Sequence, residues 1–123
     1  MKLLLKLTGC LAVAGLFVSC QSVQQEANYQ VIPLPQEIVV EQGIPFILKS
    51  GVKILYPEGN EKMQRNAKFL ADYLKTATGE DFTIEAGTEG KNVIILALGT
   101  ENENPEAYQL KVAGDGVTIT GST

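Results

Sequence analysis

The sequence predicts an α+β domain, a largely antiparallel sheet with one long amphipathic helix (about 61–78) packed on one face. Three observations lead there. Met63, Ala67, Leu70, Leu74 and Ala77 recur at helical spacing and fall within a stripe about 80° wide at 100° per residue. Short runs rich in β-branched and aromatic residues precede and follow that stripe. Gly114-Asp115-Gly116 stands between two alternating apolar runs, a hairpin signal.

Each element has its own local reason. Val31-Ile32-Pro33-Leu34-Pro35 is extended, because two prolines so close forbid a helix. Glu37 to Glu41 reads as a short strand that Gly43 breaks, and Phe46 to Lys49 as a second. Val52 to Tyr56 is a third, with Val52, Ile54 and Tyr56 on one face, ended by Pro57-Glu58-Gly59. Asn60 is placed to cap the helix, accepting from a free amide of the first turn. Gly79 stands where a left-handed residue is wanted, so the helix runs from about Glu61 to Thr78, close to 27 Å at 1.5 Å per residue. Ala71 and Tyr73 flank the stripe, and Phe69 lies well off it. Asp81 to Glu85 alternates as a strand. Val93 to Leu98 is apolar on both faces, the pattern of a central strand. Ala107 to Ala113 and Val117 to Thr120 form the hairpin, with Tyr108, Leu110 and Val112 on one face.

Residues 1–19 read as an export signal rather than as part of the fold. Lys2 and Lys6 precede an apolar run from Leu7 to Val18, too short to span a bilayer as a helix. The run ends Phe17-Val18-Ser19-Cys20, which resembles the lipobox of bacterial lipoproteins, with Phe17 where that pattern usually has Leu. The resemblance implies cleavage before Cys20 and lipid on its thiol. Two or three acyl chains hold firmly, since each buried methylene adds roughly 0.8 kcal/mol. Residues 20–28 then form a lipidated cysteine and flexible polar tether, and 29–123 the folded domain. Gln21 to Gln25 carries no acidic cluster, which favours an outer-membrane lipoprotein facing the periplasm over one on the cell surface.

Composition excludes several classes of function. Cleavage leaves 8 basic residues against 14 acidic, a balance of −6, wrong for nucleic acid. The chain has no histidine, and Cys10 and Cys20 are its only cysteines, one cleaved away and one lipidated. No metal site, disulfide framework, cofactor or Ser-His or Cys-His pair is therefore expected. Glu101 and Glu103 are two carboxylates close in sequence, and a glycosidase needs a pair, but they sit in an Asn- and Pro-rich loop where solvated turn residues are the default. Gly87 to Asn92 lacks the spacing of a phosphate loop, and Asn92 stands where Ser or Thr is needed. Of Tyr29, Tyr56, Tyr73 and Tyr108, three lie on apolar faces and read as core or sheet residues. No catalytic residue is assigned.

Several segments together resemble one family. They are Ile32-Pro33-Leu34-Pro35-Gln36, Phe46-Ile47-Leu48, and Ala67 to Leu74 with Thr78-Gly79. Ile94-Ile95-Leu96, Asn104 to Val112 and Gly116 to Gly121 follow. Their order and spacing are similar to the N-terminal domain of glycoside hydrolase family 20, the β-N-acetylhexosaminidases, over about Tyr29 to Gly121. The resemblance implies an accessory sheet domain with helices on one face, preceding a (β/α)8 barrel. It implies that terminal N-acetylhexosamine is released by substrate assistance, with an Asp-Glu pair in the barrel. None of that pair falls on this sequence. The expectation is an inactive module whose partners are the barrel and, through Cys20, the membrane, in a truncated or split gene product or a partial sequence. Two alternatives stay open: the N-terminal domain of a family 84 glycosidase, and a free-standing lipoprotein that binds glycans or a protein.

Overall fold

The computed structural model describes residues 28–29, 31, 34–99 and 103–122. It divides into two compact units, residues 1–38 and 39–123. In the first, the described residues carry no helix or strand, and the Val31 amide donates to the Tyr29 carbonyl at 2.9 Å. Ile32 and Pro33 of the expected extended opening, and Cys20 with the whole export signal, lie outside the described residues.

The second unit is α+β. Its elements are β1 (Lys53–Tyr56), α1 (Glu61–Thr78), β2 (Thr83–Ala86), β3 (Val93–Leu98), β4 (Tyr108–Ala113) and β5 (Gly116–Gly121). One five-stranded sheet runs in the order β2-β1-β3-β5-β4. The helix has the expected bounds, and its ends explain why. The Asn60 side chain accepts from the Met63 amide at 3.0 Å, and Gly79 adopts φ 77° while its N–H reaches the Lys75 carbonyl. Both ends thereby satisfy backbone groups that a helix leaves without partners. Glu61 in the first turn and Lys75 in the last complement the helix dipole.

Strand direction corrects the sequence reading. The sheet is mixed and mostly parallel, not largely antiparallel. β1 pairs parallel with β2 and with β3, and β3 pairs parallel with β5. Only β4 and β5 run antiparallel, closing Ala113 opposite Gly116 around Gly114-Asp115. The cause is the connection. Eighteen helical residues between β1 and β2 carry the chain back to its starting end, as a parallel neighbour requires. Residues 87–92 then return the chain from β2 to β3 without a helix.

The core lies between α1 and the sheet. Val52, Ile54, Met63, Ala67, Ala71, Ile94 and Leu96 form one buried cluster, with Val52, Ile54 and Ala67 fully buried. Burying such a side chain completely contributes roughly 1.5–3 kcal/mol for Val or Ile. The apolar stripe is rotated from its expected centre. Ala71 is buried, Leu70 and Leu74 are half-buried, and Ala77 is exposed. Two alanines at the contact bring the helix axis near β1 and β2, and longer side chains are left to its flank.

On the opposite face, Leu55 and Val93 are buried beneath the loop 87–92. A Cβ on Gly90 would lie 3.1 Å from a Val93 methyl, and one on Gly87 would lie 3.6 Å from Leu55. β3 is therefore central, as expected, although Ile95 and Ala97 are only half-covered on that face. The strands expected at 37–41 and 46–49 are absent among the described residues. Val39, Val40, Ile44 and Ile47 are exposed, whereas Phe46 and Leu48 pack on the core from an irregular segment.

Two substitutions probe this arrangement. Asn60→Ala should lower the stability of the full chain by about 1 kcal/mol, read from urea denaturation. Gly116→Ala should lower it by about 1–3 kcal/mol, because its Cβ would meet the Val93 carbonyl oxygen at 2.9 Å. No loss in the second would show that β3 and β5 do not approach as closely as described.

Candidate functional site

The described residues offer surfaces rather than an enclosed site. The face opposite α1 carries two shallow hollows. One, of about 340 Å³, is lined by Lys53, Leu55, Glu85, Glu89, Lys91 and Asn92 among others. The other, of about 260 Å³, is lined by Val93, Ile95, Lys111, Asp115 and Thr118 among others. Both exist because only the loop 87–92 covers that face, where a second layer of structure would otherwise lie.

The chemistry of the first hollow is already occupied. Lys53 Nζ reaches both carboxylate oxygens of Glu85, at 2.9 and 3.0 Å, a pair held across the parallel strands β1 and β2. Both side chains are about half exposed, so the pair contributes no more than about 1 kcal/mol. Glu89 is exposed. Asn92 adopts φ 57°, and its amide donates to the Asp115 carbonyl at 2.6 Å. That left-handed turn joins the start of β3 to the β4–β5 turn. It ties two loops together, which gives the Gly87–Asn92 stretch a structural role as the polar turn its sequence suggested.

Of the two carboxylates weighed as an acid pair, Glu101 lies outside the described residues and Glu103 is exposed. Glu103 precedes a tight turn. The Asn104 side-chain oxygen accepts from the Glu106 amide at 2.9 Å, and the Asn104 carbonyl accepts from the Ala107 amide at 3.0 Å. Among the described residues no polar or charged side chain is buried, and no group of three or more acidic or cysteine side chains is placed to hold a metal. No helix among them is long and apolar enough to cross a membrane. Burial and close charge are what move acid and base strengths at catalytic centres. The Asp81 carboxylate, by hydrogen bond and by charge, raises Lys75 above its ordinary value at the surface.

One tyrosine sits differently from the sequence reading. Tyr56 packs on the core and Tyr108 stands in β4, a core and a sheet residue as expected. Tyr73 on α1 is 64% exposed and is neither. Phe69 is 74% exposed and lies one helical turn before Tyr73 on the same side of α1. Phe69 is exposed as its place off the apolar stripe implies, and Tyr73 joins it there. The sequence signal was the angular position of both residues, about 100° or more from the alanine contact.

The fold is shared with known proteins. The model of glycosyl hydrolase family 20, domain 2, matches residues 28–123. The chain belongs to this family. No curated protein matches it. Among solved structures, the domain is similar to the GH20 β-N-acetylhexosaminidase from Streptomyces coelicolor A3(2), at 32% identity and a TM-score of 0.61. The match covers 75% of this chain and 18% of that one, so this family 20 domain spans less than a fifth of the relative's length.

The Lys75–Asp81 pair joins the end of α1 to the approach to β2. A folded-state value raised above the unfolded one gives stability that is present below the unfolded value and lost as pH rises through the folded value. The unfolded value is about 10.4. Asp81→Asn should therefore lower stability slightly below about pH 10, where the pair contributes, and so flatten the alkaline limb above it. Urea midpoints measured across that range check it, and an unaltered alkaline limb would refute the pairing.

Proposed function

We propose that this chain is an accessory, non-catalytic module of a β-N-acetylhexosaminidase-like glycosidase, exported and tethered to the outer membrane by lipid on Cys20. The observation that carries the reading is the family 20 domain 2 match over 28–123. The relative at 32% identity is a β-N-acetylhexosaminidase of which this length is 18%. Hydrolysis of terminal N-acetylhexosamine by substrate assistance belongs, in this reading, to a partner barrel. The module supplies a rigid companion surface.

Several features support inactivity of the module alone. Its described carboxylates lie at the surface, Glu85 is engaged by Lys53, and no described ionisable group is removed from water. The exposed Phe69 and Tyr73 supply apolar area toward the barrel. The tether reading rests on the signal-like residues 1–19 and on the Ser19-Cys20 junction. It places the module on the periplasmic side.

Purified chain incubated with a chromogenic N-acetyl-β-glucosaminide should release no chromophore above a heat-denatured control. Sustained turnover would overturn the non-catalytic assignment. Mass spectrometry of the mature N-terminus should find Cys20 first and carrying diacylglycerol. An unmodified Cys20, or cleavage at another bond, would remove the lipid tether.

A further inference from the structure

Two different elements cover the inner face of the sheet. α1 packs on β1 and β2. β3 and β5 lie beyond β1, and they set Ile94 beside Val117 and Leu96 beside Ile119. Phe46 and Leu48 pack on the same buried cluster, as do Val117 and Ile119. They come from residues 39–49, which form no helix or strand. Ile47 between them is exposed, so alternate side chains turn inward although no ladder forms. Residues 39–48 make no backbone hydrogen bond to any described residue, and Pro45 has no N–H to offer. The segment is first tied down where the Lys49 carbonyl accepts from the Val52 amide at 3.2 Å. At its other end the backbone of Ile44 lies on Gly114 in the β4–β5 turn. A Cβ on Gly114 would meet the Ile44 carbonyl oxygen at 2.9 Å and the Ile44 Cβ at 3.2 Å. Gly114 has no left-handed φ, so the close approach is what calls for glycine there.

We propose that residues 39–49 are a releasable strap. Seated, the strap closes the β3–β5 side of the core. Released, it uncovers Val117 and Ile119 while α1 and the sheet stay folded. Its attachments are what make release separate. Elements held by few apolar side chains and no backbone ladder open locally, at a lower free energy than the whole fold. Two half-buried side chains and one backbone contact hold this segment. The rest of the unit is held by a helix capped at both ends and by a five-stranded ladder. Gly114 sets how closely the strap seats, because a side chain there would press Ile44 away. The strap is also the chain's continuation from residues 1–38, so a load on those residues reaches this cover before it reaches the sheet. The inference is independent of the glycosidase reading.

The test compares a thiol beneath the strap with one beneath the helix. It uses the full chain with Cys10→Ser and Cys20→Ser, carrying either Val117→Cys or Ile54→Cys, and reads the rate of labelling by a chromogenic aromatic disulfide. Val117→Cys should label more slowly than the urea-unfolded chain and faster than Ile54→Cys. Gly114→Ala should speed labelling of Val117→Cys about tenfold, the scale of an overpacking clash. Phe46→Ala should speed it as well. Asn60→Ala weakens α1, which stays folded when the strap lifts. It should speed labelling of Ile54→Cys about fivefold and leave that of Val117→Cys unchanged. Equal acceleration of both thiols by Asn60→Ala would show one cooperative unit and no separate strap. A Val117→Cys rate equal to that of the unfolded chain would show that nothing covers this strand. A rate indifferent to both Gly114→Ala and Phe46→Ala would show that residues 39–49 are not the cover. Each of these results would overturn the proposal.

Discussion

The contact of α1 with β1 is the interaction on which the module depends. Val52 and Ile54 are fully buried on the sheet side, and Ala67 faces them fully buried from the helix. Small side chains at the helix contact bring the two backbones close, so the larger Ile and Val fill the gap between layers. Everything else is arranged around that layer. β2 and β3 flank β1 on either side, β5 extends the sheet from β3, and the hairpin partner β4 completes it. The apolar interior is therefore concentrated over β1 and β3, and burial thins toward β4, where Tyr108, Leu110 and Val112 meet solvent.

The helix was legible to its end residues because capping is local chemistry. Asn60 and Gly79 act within a few positions of themselves, and no tertiary contact is needed to read them. The hairpin was legible for the same reason, since Gly114-Asp115 determines its own turn. Strand direction was not, because alternation of side chains is identical in parallel and antiparallel ladders. The information was present in another form: a long helix between two strands, and the uninterrupted apolar run of β3, both of which favour parallel neighbours. Residues 37–41 and 46–49 mislead for a third reason. Their composition suits a strand, yet Gly43 and Pro45 interrupt them, and a strand exists only where a ladder partner is available. Tyr108 sits on a face apolar in sequence, but the helix covers β1 and β2 and leaves that face open. How far one element reaches across another is a property of the assembled fold.

The site was legible mainly through what the residue types exclude. Without histidine, and with two cysteines confined to the first 20 positions, no nucleophile-base pair or zinc site could be written down. The structure adds where the remaining chemistry stands. Lys53 and Glu85 hold one another, Glu103 borders a turn, and Asn92 with Asp115 ties two loops. These are the occupations of a supporting module, in keeping with domain 2 of family 20. The exposed Tyr73 escaped a reading that assigned it to a core or sheet face, whereas Phe69 was already legible as lying off the apolar stripe.

One property of the interior has a wider effect. Among the described residues the buried side chains are all apolar, and the ion pairs lie at the surface. Hydrophobic packing has no proton to gain. In acid, neutralised carboxylates would release only peripheral attraction, while the layer between α1 and the sheet keeps its full cohesion. Such a domain tolerates sour surroundings because the force that shapes it does not titrate.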